Sequence, residues 1–127
     1  MTRQIKVDRQ SPDKTEVYNS VNLLLKKGKI IGIFPEGTRS PDNKIGKAYP
    51  GVAKFALTNR VPVIPVGIKG AYEVFSRHQK LPKLKKNIEI KIGKLMLFND
   101  YLGKENDKQV LEEITGKIMT KIAELAK

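Results

Sequence analysis

An acid, a hydroxyl and a base stand around a glycine directly after an apolar run of the chain. The segment reads Phe34-Pro35-Glu36-Gly37-Thr38-Arg39-Ser40. Arg39 offers a planar fork that grips a phosphate through two parallel hydrogen bonds, and Thr38 adds a short donor. Gly37 permits a positive φ or the close approach of a ligand to the backbone. Glu36 would orient Arg39 or accept a hydrogen bond from a substrate hydroxyl. The alternative is a pair of ordinary turns, one around the proline and glycine and one beginning at Ser40.

The first half of the chain alternates between helical and extended patterns around this segment. Apolar residues at helical spacing predict a helix that starts after Pro12 and is ended by Gly28. Lys29–Phe34 is dense in isoleucine and apolar on both faces, which predicts a central strand covered on both sides. A second helix is predicted over residues 50–59.

The second half of the chain adds two strands and a closing helix. Val61–Lys69 predicts a buried strand, in which two prolines cannot donate ladder hydrogen bonds. The strict alternation of Ile88–Ile92 predicts a half-exposed strand. Apolar residues every four positions from Val110 to Leu125 predict an amphipathic helix. The order of elements indicates one α/β domain over residues 1–127, with a mostly parallel central sheet flanked by helices.

Composition favours an anionic partner and excludes several kinds of site. The 127 residues include 25 Lys and Arg against 13 Asp and Glu, a formal net charge of +12. That balance suits phosphate-bearing ligands, an anionic bilayer, an acidic carrier protein or nucleic acid. The chain has no cysteine and a single histidine, His78, so thiolate sites and two-histidine motifs are excluded, and no metal or cofactor is expected.

Neither a signal peptide nor a membrane span is expected. The first residues lack the apolar core of a signal peptide. The longest apolar stretch, Val61–Ile68, is far short of the roughly 20 residues needed to cross a bilayer.

A strongly basic stretch runs from Lys69 to Lys94. One interpretation is an ordinary solvated surface. The other is a docking patch for lipid headgroups, at about 1 kcal/mol per cation near an anionic leaflet. Its cations are Lys69, Arg77, Lys80, Lys83, Lys85, Lys86, Lys91 and Lys94, against Glu73 and Glu89.

Two motifs give the chain a family resemblance. Phe34–Ser40 matches the third conserved block of the glycerolipid acyltransferases without a change. Val61–Pro65 matches their fourth block, a Val-Pro-Val-(Ile/Val)-Pro run. The chain therefore resembles the 1-acylglycerol-3-phosphate acyltransferases of that family, over nearly its whole length from about Ile5. The resemblance implies part of an acyltransferase αβ sandwich.

The resemblance also implies a reaction and its site. An acyl chain would pass from acyl-CoA or acyl carrier protein, as co-substrate, to the free hydroxyl of lysophosphatidic acid, giving phosphatidic acid in phospholipid biosynthesis. Arg39, with Glu36, Gly37 and Thr38, would bind the substrate phosphate. Arg9 resembles the arginine that ends the family's second block, which has the same role. The fourth block would shape the acyl or donor pocket through Val61, Pro62, Ile64 and Pro65.

One component of the family's site has no counterpart in the sequence. In the family, a histidine in a His-x-x-x-x-Asp block ahead of the second block acts as general base on the substrate hydroxyl. None of the eight residues before Arg9 is a histidine. His78 does not fit, because Lys83 stands where the aspartate is required. We therefore expect the C-terminal portion of an acyltransferase domain, without a catalytic residue and inactive alone.

The resemblance implies a cytoplasmic chain, peripheral to the inner face of the membrane, with an anionic membrane surface as a partner. The alternative is a non-catalytic basic module that binds anionic lipid or nucleic acid. Aromatic residues are only 6% of the chain, too few for a base-stacking platform, so a nucleic-acid partner is not expected. Loss of the N-terminal part of the domain would expose a sheet edge and favour self-association.

Overall fold

Helices dominate the part of the chain that the structure describes. The structure is a computed structural model, and it describes residues 4–7, 10–38, 42–74, 80–81 and 87–127. No helix in these ranges combines the length and the hydropathy that a bilayer crossing requires. In chain order the elements are helix α1 (Thr15–Lys26), helix α2 (Gly51–Asn59), strand β1 (Val66–Lys69), helix α3 (Ala71–Val74), strand β2 (Glu89–Ile92), a 3-10 turn (Asn99–Tyr101) and helix α4 (Lys108–Leu125).

The three predicted helices are confirmed as α1, α2 and α4, and side chains satisfy backbone donors at the start of α1 and α4. The backbone N–H of Thr15 donates to Asp13 Oδ1 at 2.8 Å, just ahead of the first turn of α1. Asp107 is the N-cap of α4, and its Oδ1 accepts from the N–H groups of Gln109 and Val110 at 3.0 and 3.3 Å. These bonds satisfy donors that have no partner within a helix.

The predicted parallel sheet is wrong for the strands that the structure describes. β1 and β2 pair antiparallel, with Val66 opposite Ile92 and Lys69 opposite Glu89. A further bridge joins Val63 to Met96. Hydrophobic periodicity identifies strands but does not report their relative direction, so the order of elements did not distinguish the two arrangements. The described part of the connection between β1 and β2 contains the four-residue helix α3.

The central strand predicted at Lys29–Phe34 is also wrong. The segment forms no strand, and the backbone groups of Ile30 to Ile33 make no backbone hydrogen bond with another described residue. Ile30 is 96% exposed and Phe34 is 77% exposed. A run of β-branched residues favours a strand only where a neighbouring strand and a packed face are available. Neither is present among the residues described beside it.

The core lies between α2 and α4. Ile114 and Ile118 on α4 are almost completely buried, and they pack with Ala53 and Leu57 of α2. Phe98, which precedes the 3-10 turn, closes the cluster. Ile114 and Ile118 belong to the apolar stripe that the sequence predicted for the closing helix, and the prediction is confirmed at these two positions.

The 3-10 turn is tied to α4 by a surface network. Tyr101 donates its hydroxyl to Glu113 Oε1 at 2.6 Å, and Lys117 Nζ donates to the Tyr101 oxygen at 2.5 Å. The hydrogen bond from Tyr101 lowers the pKa of the Glu113 carboxyl, and the bond to Tyr101 raises the pKa of Lys117. The network holds the connector between the sheet and α4 in place.

The sheet lies directly on the end of α4. Gly67 packs against the backbone of Leu125 and Ala126 so closely that a Cβ at this position would overlap Leu125. On the neighbouring strand, a Cβ at Gly93 would lie 2.8 Å from Leu125 Cδ1 and 2.9 Å from Pro65 Cγ. One glycine on each side of the β1–β2 pairing therefore lets the helix touch the sheet.

We expect Gly67→Ala to destabilise the chain by about 1–3 kcal/mol, because the added methyl group must push the end of α4 away from β1. Gly116→Ala is the matched control, since no atom lies within 4 Å of a Cβ at that position in α4. The control should stabilise the chain by about 0.5–1 kcal/mol through helix propensity. Urea unfolding followed by circular dichroism measures both. Equal stability of Gly67→Ala and the wild type would contradict the close packing.

Candidate functional site

The polar segment after Phe34 forms a tight turn. Gly37 N–H donates to the Phe34 carbonyl at 2.9 Å, and Gly37 has a φ of 68°. A positive φ is the conformation that glycine adopts at little cost and other residues rarely adopt. The sequence-based prediction that Gly37 permits such a conformation is confirmed.

A second loop, residues 42–49, is fastened to this turn. Glu36 Oε2 accepts from the Gly46 N–H at 2.6 Å, a short bond with a charged acceptor. The Tyr49 N–H donates to the Pro35 carbonyl at 2.9 Å. We call the turn (residues 34–38) and the loop (residues 42–49) together the two-loop site. One side-chain bond and one backbone bond fix their relative position.

Close packing adds to these bonds. The ring of Tyr49 lies against the turn, with its Cε2 only 3.3 Å from the position of a Cβ at Gly37. The contact at Gly46 is equally close, since a Cβ there would lie 3.2 Å from Glu36 Oε2. The absence of a side chain at Gly37 and at Gly46 therefore lets the turn and the loop pack closely against each other.

The second loop also reaches α3. Asn43, with a φ of 61°, donates from Nδ2 to Glu73 Oε1 at 3.4 Å. Asp42 Oδ1 accepts from the Lys44 N–H at 3.2 Å and shapes the start of the loop. Lys44 and Lys47 of the loop are exposed, and both lie within two residues of Gly46, whose N–H donates to Glu36 of the turn.

The structure brings together some of the predicted phosphate-binding residues and leaves others untested. Glu36, Gly37 and Thr38 lie on the turn, and Thr38 is exposed. Arg9 and Arg39 lie outside the described residues, so the predicted cleft between them stays a prediction. The same holds for Ser40 and for His78.

The fourth block forms the approach to β1, and its four predicted pocket residues differ in burial. Pro65 is fully buried, and its carbonyl accepts from the Gly93 N–H at 2.8 Å. Val61 is half-buried and lines a shallow hollow with Phe98. Pro62 and Ile64 are exposed. Pro65 packs as a core residue, and a role of the block in an acyl or donor pocket stays a prediction.

Sequence reasoning missed Gly46, Tyr49 and Glu73 as supports of the site. The available signal was the Lys44-Ile45-Gly46-Lys47 segment, whose central glycine beside an acid-bearing turn suggests close backbone approach. Within the described ranges, no group of three or more His, Cys, Asp or Glu side chains is arranged to hold a metal ion.

A family model described as Acyltransferase matches residues 1–69. The match includes the two-loop site and ends with β1. It is shorter than the nearly complete coverage that the motifs suggested, because β2 and α4 lie beyond it. No solved structure gives a significant match to the chain.

Curated relatives match about half of the chain. A probable 1-acyl-sn-glycerol-3-phosphate acyltransferase of Mycoplasma genitalium is 36% identical over 73 residues, which are 54% of this chain and 27% of the relative. The 1-acyl-sn-glycerol-3-phosphate acyltransferase of Bacillus subtilis is 34% identical over 64 residues, 50% of this chain and 31% of the relative. The 1-acyl-sn-glycerol-3-phosphate acyltransferase of Pseudomonas aeruginosa is 34% identical over 68 residues, which are 52% of this chain and 26% of the relative. The chain thus spans about a quarter to a third of the length of these relatives.

Glu36→Ala should loosen the second loop. We expect the Gly46 amide to exchange its hydrogen roughly fivefold faster, since a typical hydrogen bond contributes about 1 kcal/mol. Hydrogen exchange measured by NMR reports this amide directly. Glu112→Ala, which removes an exposed carboxylate from α4, is the control and should leave Gly46 unchanged. Unchanged exchange in Glu36→Ala would mean that the carboxylate does not hold the loop.

Proposed function

The chain belongs to the acyltransferase family, and we propose that it supplies the substrate-phosphate-binding part of a 1-acylglycerol-3-phosphate O-acyltransferase. The reaction transfers an acyl chain from acyl-CoA or acyl carrier protein to the free hydroxyl of lysophosphatidic acid and yields phosphatidic acid. The observation that carries the proposal is the two-loop site, which lies within the part of the chain that matches the family. The names of the curated relatives support the substrate.

On this proposal, the two-loop site is a phosphate cradle. Arg39 follows the turn and supplies the planar fork, and Arg9 supplies a second guanidinium. Glu36 acts on phosphate binding indirectly. Its hydrogen bond to the Gly46 N–H keeps the loop that carries Lys44 and Lys47 beside the turn. Gly37 and Gly46 carry no side chain that would block a headgroup. Cations around a phosphate strengthen binding most where the loop that carries them is already fixed.

We further propose that this chain alone does not transfer acyl groups. An alcohol is a weak nucleophile without a base, and general-base catalysis contributes about 10²–10⁴-fold. The oxygen to be activated belongs to the substrate, so the base must come from the protein. Glu36 is engaged with the Gly46 N–H, and His78 lacks an aspartate at position 83. The role proposed for this chain is therefore binding of the substrate phosphate, and proton abstraction needs a His-x-x-x-x-Asp block that residues 1–127 do not contain.

The charge of the chain supports a position at the inner face of the cytoplasmic membrane. Lys69, Lys80, Lys91 and Lys94 are all exposed among the described residues of the basic stretch. Each cation near an anionic leaflet adds about 1 kcal/mol of attraction. The lipid substrate lies in the same surface, so binding there also concentrates the substrate.

An acyl-transfer assay with acyl-CoA and lysophosphatidic acid tests the function. The chain alone should bind lysophosphatidic acid and give no turnover, while Arg39→Lys should bind more weakly because the charge stays and the fork is lost. Turnover should appear when a segment with a His-x-x-x-x-Asp block is added. Turnover by the chain alone that survives His78→Ala would contradict the missing base, and equal affinity of Arg39→Lys and the wild type would contradict the phosphate site.

Vesicle binding tests the membrane proposal. Binding to anionic vesicles should fall steeply between low and physiological salt, because screening weakens exposed charges, and neutral vesicles should bind hardly at all. Lys91→Gln with Lys94→Gln should weaken binding, and Lys121→Gln, an exposed lysine of α4, is the matched control. Salt-insensitive binding to both kinds of vesicle, or preference for duplex DNA over anionic vesicles at physiological salt, would contradict it.

A further inference from the structure

The fold fixes the backbone of Tyr49 from two sides. Its N–H donates to the Pro35 carbonyl of the turn at 2.9 Å. The next residue, Pro50, is the N-cap of α2, and α2 buries Ala53 and Leu57 in the core. Tyr49 therefore joins the turn to the packed part of the chain, and its side chain projects from a fixed position.

The ring of Tyr49 contacts the turn along one edge. Its Cε2 and Cδ2 lie 3.3 and 3.5 Å from the position of a Cβ at Gly37. The hydroxyl is bonded to Cζ, the ring carbon next to Cε2, so it also lies beside the turn. Thr38, the residue after Gly37, is exposed. The Tyr49 hydroxyl is thus close to the turn residues that precede Arg39.

The Tyr49 hydroxyl is accessible to a ligand. Tyr49 is 70% exposed, and no described residue pairs with its hydroxyl. Tyr101 shows the contrast, because its hydroxyl donates to Glu113 and accepts from Lys117. Position 49 therefore holds a donor that the fold orients and that no described residue uses.

The alternative is an ordinary surface tyrosine whose hydroxyl meets only water. Two features distinguish Tyr49 from such a residue. Its ring rests on a glycine of positive φ, and its backbone is bonded to the same turn. A ligand that meets an already ordered side chain does not have to order it, so little conformational entropy is lost on binding.

The surroundings of this hydroxyl favour an anionic acceptor. Both carboxylates of the two-loop site already accept backbone hydrogen bonds, Glu36 from Gly46 at 2.6 Å and Asp42 from Lys44 at 3.2 Å. Lys47 is exposed on the same loop. A phenol donates to a phosphate oxygen through a charge-assisted hydrogen bond, which is shorter and stronger than a bond between neutral groups.

We propose that Tyr49 is a phosphate-binding residue of the two-loop site, whose hydroxyl donates a hydrogen bond to an unesterified phosphate oxygen of the substrate. The proposal rests on the proposed function and extends it to a residue outside both family motifs, Phe34–Ser40 and Val61–Pro65. Its own support is the contact between the Tyr49 ring and Gly37, together with the accessible hydroxyl. Tyr49 adds an uncharged donor to a cradle of cations.

Titration calorimetry with a short-chain, water-soluble lysophosphatidic acid tests the hydrogen bond. Tyr49→Phe removes only the hydroxyl and keeps the ring against Gly37. We expect it to weaken binding about 5- to 20-fold, since a hydrogen bond to a charged group is lost. Tyr101→Phe is the matched control, because it removes a hydroxyl that bonds to Glu113 and Lys117, and it should leave the affinity unchanged.

Hydrogen exchange separates a direct contact from a structural role. The Gly37 amide donates to the Phe34 carbonyl and reports the state of the turn. Tyr49→Phe should leave its exchange rate at the wild-type value, whereas Tyr49→Ala, which also removes the ring, should raise it. Weaker binding by Tyr49→Phe together with faster exchange of the Gly37 amide would overturn the proposal in favour of a structural role.

Ligand and salt variation identify the acceptor. The loss caused by Tyr49→Phe should be absent with the monoacylglycerol of the same chain length, which has no phosphate. A loss as large as that for lysophosphatidic acid would place the hydroxyl on the glycerol and overturn the proposal. Between low and physiological salt, the factor for Tyr49→Phe should stay within about twofold, while the factor for Lys47→Gln shrinks, because salt screens exposed charges.

The outcomes separate the two proposals. Binding of lysophosphatidic acid by the wild type with equal affinity of Tyr49→Phe would overturn the role of Tyr49 and leave the proposed function standing. Weaker binding by Tyr49→Phe with equal affinity of Arg39→Lys and the wild type would support Tyr49 and contradict the guanidinium fork. Absence of binding by the wild type would overturn both.

Discussion

The contact between Gly67 and the last turn of α4 determines how the rest of the chain is arranged. Because β1 has no side chain at this position, the helix backbone lies directly on the strand. Gly93 allows the same approach beside it. With the helix so close, Pro65 is buried, and the isoleucines of the two strands must point to the opposite face. A larger residue at position 67 would push the β1–β2 sheet away from α4, the helix that carries the core residues Ile114 and Ile118.

The sequence predicted those parts of the fold whose signals are local. Helical spacing, with the terminal Gly28 for α1, identified α1, α2 and α4, since these signals act within a few residues. The strand predicted at Lys29–Phe34 failed because β structure needs a partner that no local pattern supplies. The parallel sheet failed for a related reason: β1 and β2 lie next to each other and reverse direction, and periodicity does not report direction.

The same distinction applies to the candidate site. The positive φ of Gly37 is one of the two roles that the residue types of the turn predicted for this glycine, the other being close approach of a ligand. The bond from Gly46 to Glu36 joins residues ten positions apart, and nothing in either segment specifies it. Glu36 was expected near the phosphate as an acceptor or as a support for Arg39. Its bond to Gly46 gives this carboxylate a different task, which is to fix the loop that carries Lys44 and Lys47.

The exposed isoleucines of β2 and the phosphate cradle are connected through stability. Exposed apolar side chains such as Ile90 and Ile92 contribute little hydrophobic stabilisation in the free chain, so the small core around Ile114 must support the fold largely alone. A partner that binds only the folded chain stabilises it by mass action, to an extent set by its concentration and affinity.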